Sequence, residues 1–418
     1  MKTKTGTDLS LGGLSGSTRF GVIAFALLAL VTTAQSLAAD LKVINTKHYT
    51  LHTDVEPALA KDLATRLDAM YDEYDRRLAD FQTTADDSKS FEVYVFNERV
   101  DYMKFTGNRL ANTGGVFMPD KNQLVAFLEG QGRDGLRRTL QHEAFHQFAY
   151  RSISRDLPPW LNEGLAQLFE EGVWTGRSFL LNQVPPRRTR QLEQDIKAKR
   201  LIAFDKFLPI TLDQWNQTLN ADAERGAAQY NQAWAMVYFL VNAGTENGGK
   251  AKYRDRLLTM LRKTNTGMAG DQAFAEAFSD NIKGFQDRFV EYVRSLKPTQ
   301  AATMLERQNV LADLLKGLTE DGQRFADVNA FKAKALGGGY QLSYSMGNIR
   351  WQTDPNVMVY FSGMDGKPFD RNQLFFDPRS GAPLPDLVCR PGGKTQIRTR
   401  FYRSGKSIEH EVLVETVR

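Results

Sequence analysis

His142-Glu143-Ala144-Phe145-His146 is the stretch that governs how this 418-residue chain is read. The chain has five histidines, and two of them stand here, four residues apart. On a helix that spacing sets both imidazoles on one face, one turn apart. Two imidazoles so placed can hold one Zn²⁺ ion, and Glu143 beside them can take a proton from a metal-bound water. The flanking residues predict the helix. Leu136, Leu140, Phe145 and Phe148 fall at near-helical apolar spacing, and no Pro or Gly interrupts residues 136–151. Asp134 is positioned to cap its start, with Arg137 and Arg138 facing solvent.

A catalytic zinc site needs a third protein ligand and one open position. Downstream the chain reads Pro158-Pro159-Trp160-Leu161-Asn162-Glu163-Gly164-Leu165-Ala166. Pro159 suits the first position of a helix. Leu161, Leu165 and Leu168 then form its apolar stripe, with Phe169 at the edge. Glu163 falls near the first turn and is the expected third ligand. Gly164 has no side chain, which lets another helix come close.

HEAFH followed by WLNEGLA resembles the gluzincin superfamily of zinc metallopeptidases. It is most similar to the peptidase-MA-like proteins, many of them secreted and of unknown function. The resemblance runs from residue 41 or so to residue 297 or so. It implies an α+β class, with a zincin-like sheet-and-helix lobe followed by a helical lobe. It also implies that His142, His146 and Glu163 bind zinc and that Glu143 is the general base. A Tyr or His on a later helix often supplies a further donor in that superfamily. Tyr230, in Ala228-Gln229-Tyr230-Asn231-Gln232-Ala233-Trp234, is the candidate. Two departures stand out. Sixteen residues, 147–162, separate His146 from Glu163, a slightly shorter spacer than the aminopeptidase branch has. That branch also holds the substrate's amine with an acidic residue, whereas Thr113-Gly114-Gly115-Val116-Phe117-Met118 contains none. An endopeptidase is favoured over an aminopeptidase on this ground.

The expected reaction is peptide-bond hydrolysis through a zinc-bound water. Glu143 removes the proton of that water and delivers it to the leaving amine. Tyr230 donates to the oxyanion. The hairpin Val116–Met118 and Gln123–Phe127, around Pro119-Asp120-Lys121-Asn122, offers an edge strand that can hold an extended peptide by main-chain hydrogen bonds.

Residues 1–39 read as a secretory signal: Lys2, Lys4 and Arg19 precede an apolar run, Phe20–Val31, which is short for a membrane span. The expected product is an exported periplasmic or extracellular protein with no stable membrane span. Removing the signal, with its three basic residues and Asp8, lowers the net charge from +5 to +3. So weak a charge gives no argument for nucleic acid, and the expected partner is a peptide or protein substrate. The single Cys389 has no partner for an internal disulfide and sits in an apolar context, which predicts packing.

Along the chain, Lys42–Leu51 and Phe91–Phe96 read as strands and Pro57–Phe81 as a long amphipathic helix. With the HEAFH helix they make an α+β lobe, 40–156. Residues 157–297 form a helical lobe that carries Glu163, with Asp280 as the cap of its last helix. Pro185–Arg190 reads as a basic loop, either solvated or clamping an acidic substrate group. Residues 298–338 read as a helical linker. Residues 339–418 read as a small all-β domain, sandwich-like, with strands at Val357–Phe361, Gln373–Phe376 and Leu387–Cys389. Its last two strands pair around Ser404-Gly405, and Arg398 and Arg400 share a solvated face.

Two other functions fit the same residues. One is an inactive envelope protein that keeps the zinc fold to bind a partner. The other is a metal-dependent hydrolase of cell-wall peptides.

Overall fold

A computed structural model describes residues 41–81, 90–107, 113–245, 248–346 and 349–416. The expected signal, 1–39, lies outside these residues. The class is α+β.

The first layer is a five-stranded sheet in the order β1-β2-β3-β5-β4. Its strands are β1 (Lys42–Asn45), β2 (Tyr49–Thr53), β3 (Phe91–Phe96), β4 (Gly115–Met118) and β5 (Gln123–Phe127). β2, β3 and β5 run parallel, and the outer strands β1 and β4 pair antiparallel. Lys42–Leu51 is therefore two strands with a tight turn, not one. The Asp68 carboxylate explains the break: it accepts from Thr46 Oγ1 and from the backbone N–H groups of Lys47 and His48. Asp68 comes from α1 (Pro57–Leu78), whose buried face includes Leu59, Leu63, Leu67, Met70 and Tyr74. The short α2 (Arg99–Phe105) packs on the opposite side of the sheet with Tyr94, Phe96, Val125 and Phe127.

α3 (Gly132–Ser152) carries HEAFH. Its apolar residues Leu136, Leu140, Ala144, Phe145, Phe148 and Ala149 are buried with those of α1 and the sheet. Tyr74 Oη donates to the Gln141 carbonyl at 2.7 Å, and Gln147 Nε2 donates to the carbonyls of Glu92 and Asn122 at 3.1 and 3.0 Å. These bonds fix the rotation of α3 about its axis. Asp134 is not its cap. It lies in the first turn and accepts from Arg137 and from the Val412 N–H. Arg137 does not face solvent: it is buried, joining Asp62 of α1, Asp134 and Glu411 of the C-terminal sheet.

α4 (Pro159–Glu170) packs on α3, and its end is tied back by Gln141 Nε2, which donates to the carbonyls of Phe169, Glu170 and Gly172. The two-residue strands β6 (Val173–Trp174) and β7 (Phe179–Leu180) follow. Pro185–Arg190 is not a loop. α5 (Pro186–Lys197) starts there, with Pro186 in its first turn. α6 (Phe204–Phe207), α7 (Leu212–Ala221), α8 (Ala223–Asn242), α9 (Arg254–Asn265), α10 (Gly270–Ala277) and α11 (Ile282–Ser295) complete the helical lobe. Asn281 caps α11, in place of Asp280, by accepting from the Gly284 N–H. α8 crosses α4 at Gly164, where a Cβ would stand 2.5 Å from the Ala233 carbonyl oxygen. The close approach foreseen at that glycine is present.

The segment expected to be a linker belongs to a second core. α12 (Gln300–Glu320) and α13 (Val328–Gly337) bury Val310, Leu311, Leu315 and Phe331 against Leu374, Leu387, Ile397 and Phe401. β8 (Ser343–Met346) and β9 (Ile349–Gln352) form a hairpin. β10 (Leu374–Asp377), β11 (Asp386–Gly392), β12 (Thr395–Ser404) and β13 (Ser407–Thr416) form one antiparallel sheet in that order. Its core-facing residues pack on α12, so a helix supplies the cover that a second sheet would give in a sandwich. Val357–Phe361 is a 3₁₀ helix, not a strand. Cys389 is buried, and burial pushes its thiol up to about 12. Arg398 does not lie on a solvated face but binds Asp377, Asp386 and Glu415. No helix among the described residues is long and apolar enough to cross a membrane.

Candidate metal centre

α3 and α4 bring His142, His146 and Glu163 together. One ligand atom from each lies within 4.8 Å of the others. The two Nε2 atoms are 3.1 Å apart. His142 Nε2 is 3.4 Å from Glu163 Oε2, and His146 Nε2 is 3.7 Å from Oε1. Donors about 2.0–2.1 Å from a tetrahedral ion stand about 3.3–3.4 Å from one another, so the observed spacing suits a small divalent cation.

The outer contacts sharpen the fit. His142 Nδ1 lies 3.1 Å from Glu170 Oε2, and His146 Nδ1 lies 3.1 Å from Asn162 Oδ1. A carboxylate or an amide oxygen can only accept here, so each Nδ1 carries a proton. The lone pairs of both neutral rings are then left at Nε2, aimed at one another and at Glu163. Glu163 Oε2 is buried and has no hydrogen bond. Acceptors converging with no donor among them are what a cation requires. Without a metal a proton must serve. Burial opposes charge on His142, yet the neighbouring Glu163 and Glu170 hold its pKa well above the ordinary imidazole value. Burial likewise works against ionisation of Glu163, but the two imidazoles hold its pKa below the usual carboxylate range.

Glu143 faces the sheet. Its Oε2 accepts from the Phe117 N–H of the edge strand β4 at 2.9 Å. One carboxylate oxygen is thus held, which orients the other. Tyr230 lies inside α8, which begins at Ala223 and is capped by Asp222. Its carbonyl accepts from Gln167 Nε2 at 3.0 Å, and its ring lies 5.1 Å from that of Trp215. Burial, reinforced by Glu163 and also by Glu143 and Glu170, raises its phenol pKa well above the ordinary value. The phenol therefore stays protonated and shares the electrostatic environment of the cluster.

Glu170 and Asn162 were not singled out from sequence. Glu170 follows Glu163 by seven residues, two helical turns on the same face, and that spacing was the available signal. Arg187 and Arg188 are not solvated. Both are buried against Glu171, Arg187 through Nη2 and Arg188 through Nε at 2.6 Å.

Residues 137–264 are similar to a family described as a protein of unknown function (DUF1570). The matched span contains His142, Glu143, His146, Glu163 and Tyr230 and leaves the C-terminal sheet outside. No curated protein matches the chain.

Proposed function

We propose that the protein is an exported zinc-dependent metallopeptidase with a zincin-like fold, cleaving peptide bonds within chains. The observation that carries this reading is the convergence of two lone-pair-bearing imidazole nitrogens and an unbonded carboxylate oxygen, with a second carboxylate, Glu143, next to His142 on the same helix and held by the Phe117 N–H. Zinc held there would supply Lewis acidity to a carbonyl and lower the pKa of a water.

The protein's own groups account for the remaining work. Glu170 and Asn162 hold the imidazoles so that both Nε2 atoms point inward. Glu143, with one oxygen fixed by the Phe117 N–H, accepts the proton of the attacking water and returns it to the leaving amine. Tyr230, protonated at neutral pH, donates to the developing oxyanion. The outer edge of β4 can pair with an extended peptide, which suits cleavage within a chain.

Glu143→Gln tests the reading. The variant is expected to keep its zinc and lose cleavage of a mixed peptide library. Tyr230→Phe is expected to lower kcat far more than it raises KM. Zinc at one equivalent with no cleavage by the wild-type protein would favour a binding protein instead. Cleavage confined to cell-wall peptides would favour the narrower hydrolase.

A further inference from the structure

Gln167 stands one turn beyond Glu163 on α4 and is 3% exposed. Arg188 Nη1 donates to its Oε1 at 2.8 Å. A guanidinium can only donate, so this contact fixes which end of the amide is the oxygen. The Nε2 end then donates to two carbonyls, that of Glu163 at 3.2 Å and that of Tyr230 on α8 at 3.0 Å. One side chain thereby joins the backbone of the expected third ligand to the backbone of the expected oxyanion donor.

The join is braced from α5. Asn231, next to Tyr230, is fully buried; its Nδ2 donates to the Arg188 carbonyl at 3.2 Å, and its Oδ1 accepts from Arg188 Nη1 at 3.3 Å. The Arg188 guanidinium lies over the Trp234 ring, 5.0 Å from its centre, one turn further along α8. Glu171 Oε1 holds the same guanidinium through Nε at 2.6 Å. The packing of α8 on Gly164 sets how close the two helices come, but an apposition of that kind carries little direction. The Gln167 bond adds direction, because a hydrogen bond weakens steeply when bent. It fixes where along α4 the Tyr230 residue stands. The charges of Glu163, Glu143 and Glu170 all act on the Tyr230 phenol, so the ring stands among the groups of the metal centre. A displacement of about 1 Å at such a place can cost about 100-fold in rate.

We propose that Gln167 is a positioning residue for the hydrolysis: it holds Tyr230 at the height on α4 where the phenol serves the centre that Glu163 helps to form. This rests on the metallopeptidase reading and on Tyr230 as the donor. Gln167 acts only through Tyr230.

Gln167→Glu tests it, because the variant keeps an oxygen for Arg188 and loses both donated bonds. With a peptide chosen from the mixed library, kcat should fall about 10–100-fold while KM stays within about twofold of the wild type. Zinc per chain should be unchanged. In a Tyr230→Phe background the same substitution should lower kcat by no more than about twofold, since the donor it positions is already gone. A second readout needs no turnover: amide hydrogen exchange at residues 230–234 should quicken about three- to tenfold, with that of α3 unchanged. Gln167→Met removes the same two donors without adding charge, and it is judged by the same measurements should Gln167→Glu not fold. The proposal is overturned if kcat stays at the wild-type value, if the loss is as large in the Tyr230→Phe background, if zinc is lost with it, or if exchange at residues 230–234 does not change. A wild type that cleaves no peptide fails the metallopeptidase reading, and this inference with it. A wild type that cleaves, beside a Gln167→Glu of equal kcat, fails this inference alone.

Discussion

Two buried polar clusters sit at opposite ends of α4, and they differ in what they leave unfinished. At the C-terminal end Glu171 meets Arg187 and Arg188, and Arg188 also donates to Gln167 and Asn231. The carboxylate has two cations against it, and nothing else is needed to neutralise it. Near the N-terminal end Glu163 meets two imidazoles whose protons are already engaged by Glu170 and Asn162. That cluster has acceptors and no donor. A self-sufficient cluster of buried charge is a structural device, whereas one that an added cation would complete is a candidate site. Burial alone does not separate the two, because the side chains of Glu163 and Glu171 are 15% and 4% exposed.

The contrast can be broken by mutating each acid. Glu171→Ala strands two buried guanidiniums and should cost about 3–5 kcal/mol, read as a lower urea midpoint whether or not metal is present. Glu163→Gln should abolish tight metal binding while shifting the metal-free midpoint far less. Similar losses of stability in the two metal-free variants would mean that the clusters are of one kind.

A smaller effect is expected one contact further out. Glu170→Gln leaves the three ligands in place but removes the anion that fixes the His142 proton. Zinc affinity should fall about 10–100-fold, and the metal-free protein should also lose stability at neutral pH, because against the opposition of burial His142, Arg188 and Arg138 hold the Glu170 carboxyl well below the usual range. Affinity equal to the wild type would show that Glu170 does not orient the ring.

The smallest effect concerns the clamp between α3 and the C-terminal sheet. Burial opposes ionisation of Asp134, but Arg137 and the Val412 N–H hold its pKa below the usual carboxylate range. A depressed folded-state pKa stabilises above the unfolded value and is lost as pH falls through the folded one. The contribution of Asp134 should therefore be constant from neutral pH to about 4 and decline below that. Asp134→Asn should flatten the acid limb of the stability profile; an unchanged limb would assign it to other groups.

What was legible in the sequence was local. The HEAFH helix, the approach of a second helix at Gly164, and the hairpin of β4 and β5 rest on spacing within a few residues. Glu163 was inferred because it opens an adjacent helix in a short, resembling motif. Arg137 was misread because its partner Glu411 lies 274 residues away, and an arginine on a helix looks solvated until such a partner is known. Pro185-Pro186 looked like a loop because proline ends helices, but it also begins them. Segment 298–338 looked like a linker because its apolar face is matched only by strands that follow it. Glu170 carried a periodic signal that was there to be read, while its contact with His142 depends on how α3 and α4 cross.

The central claim is that α3 and α4 build a three-donor grip for a divalent ion. The most direct test is metal content by mass spectrometry on the purified protein, with a competitive zinc titration after chelation. One tightly bound zinc per chain, lost on substitution of His142, His146 or Glu163 and retained in Glu171→Gln wherever that variant folds, is the predicted result. A wild-type protein that neither retains nor rebinds a divalent metal, or one whose zinc survives loss of both histidines, would contradict it.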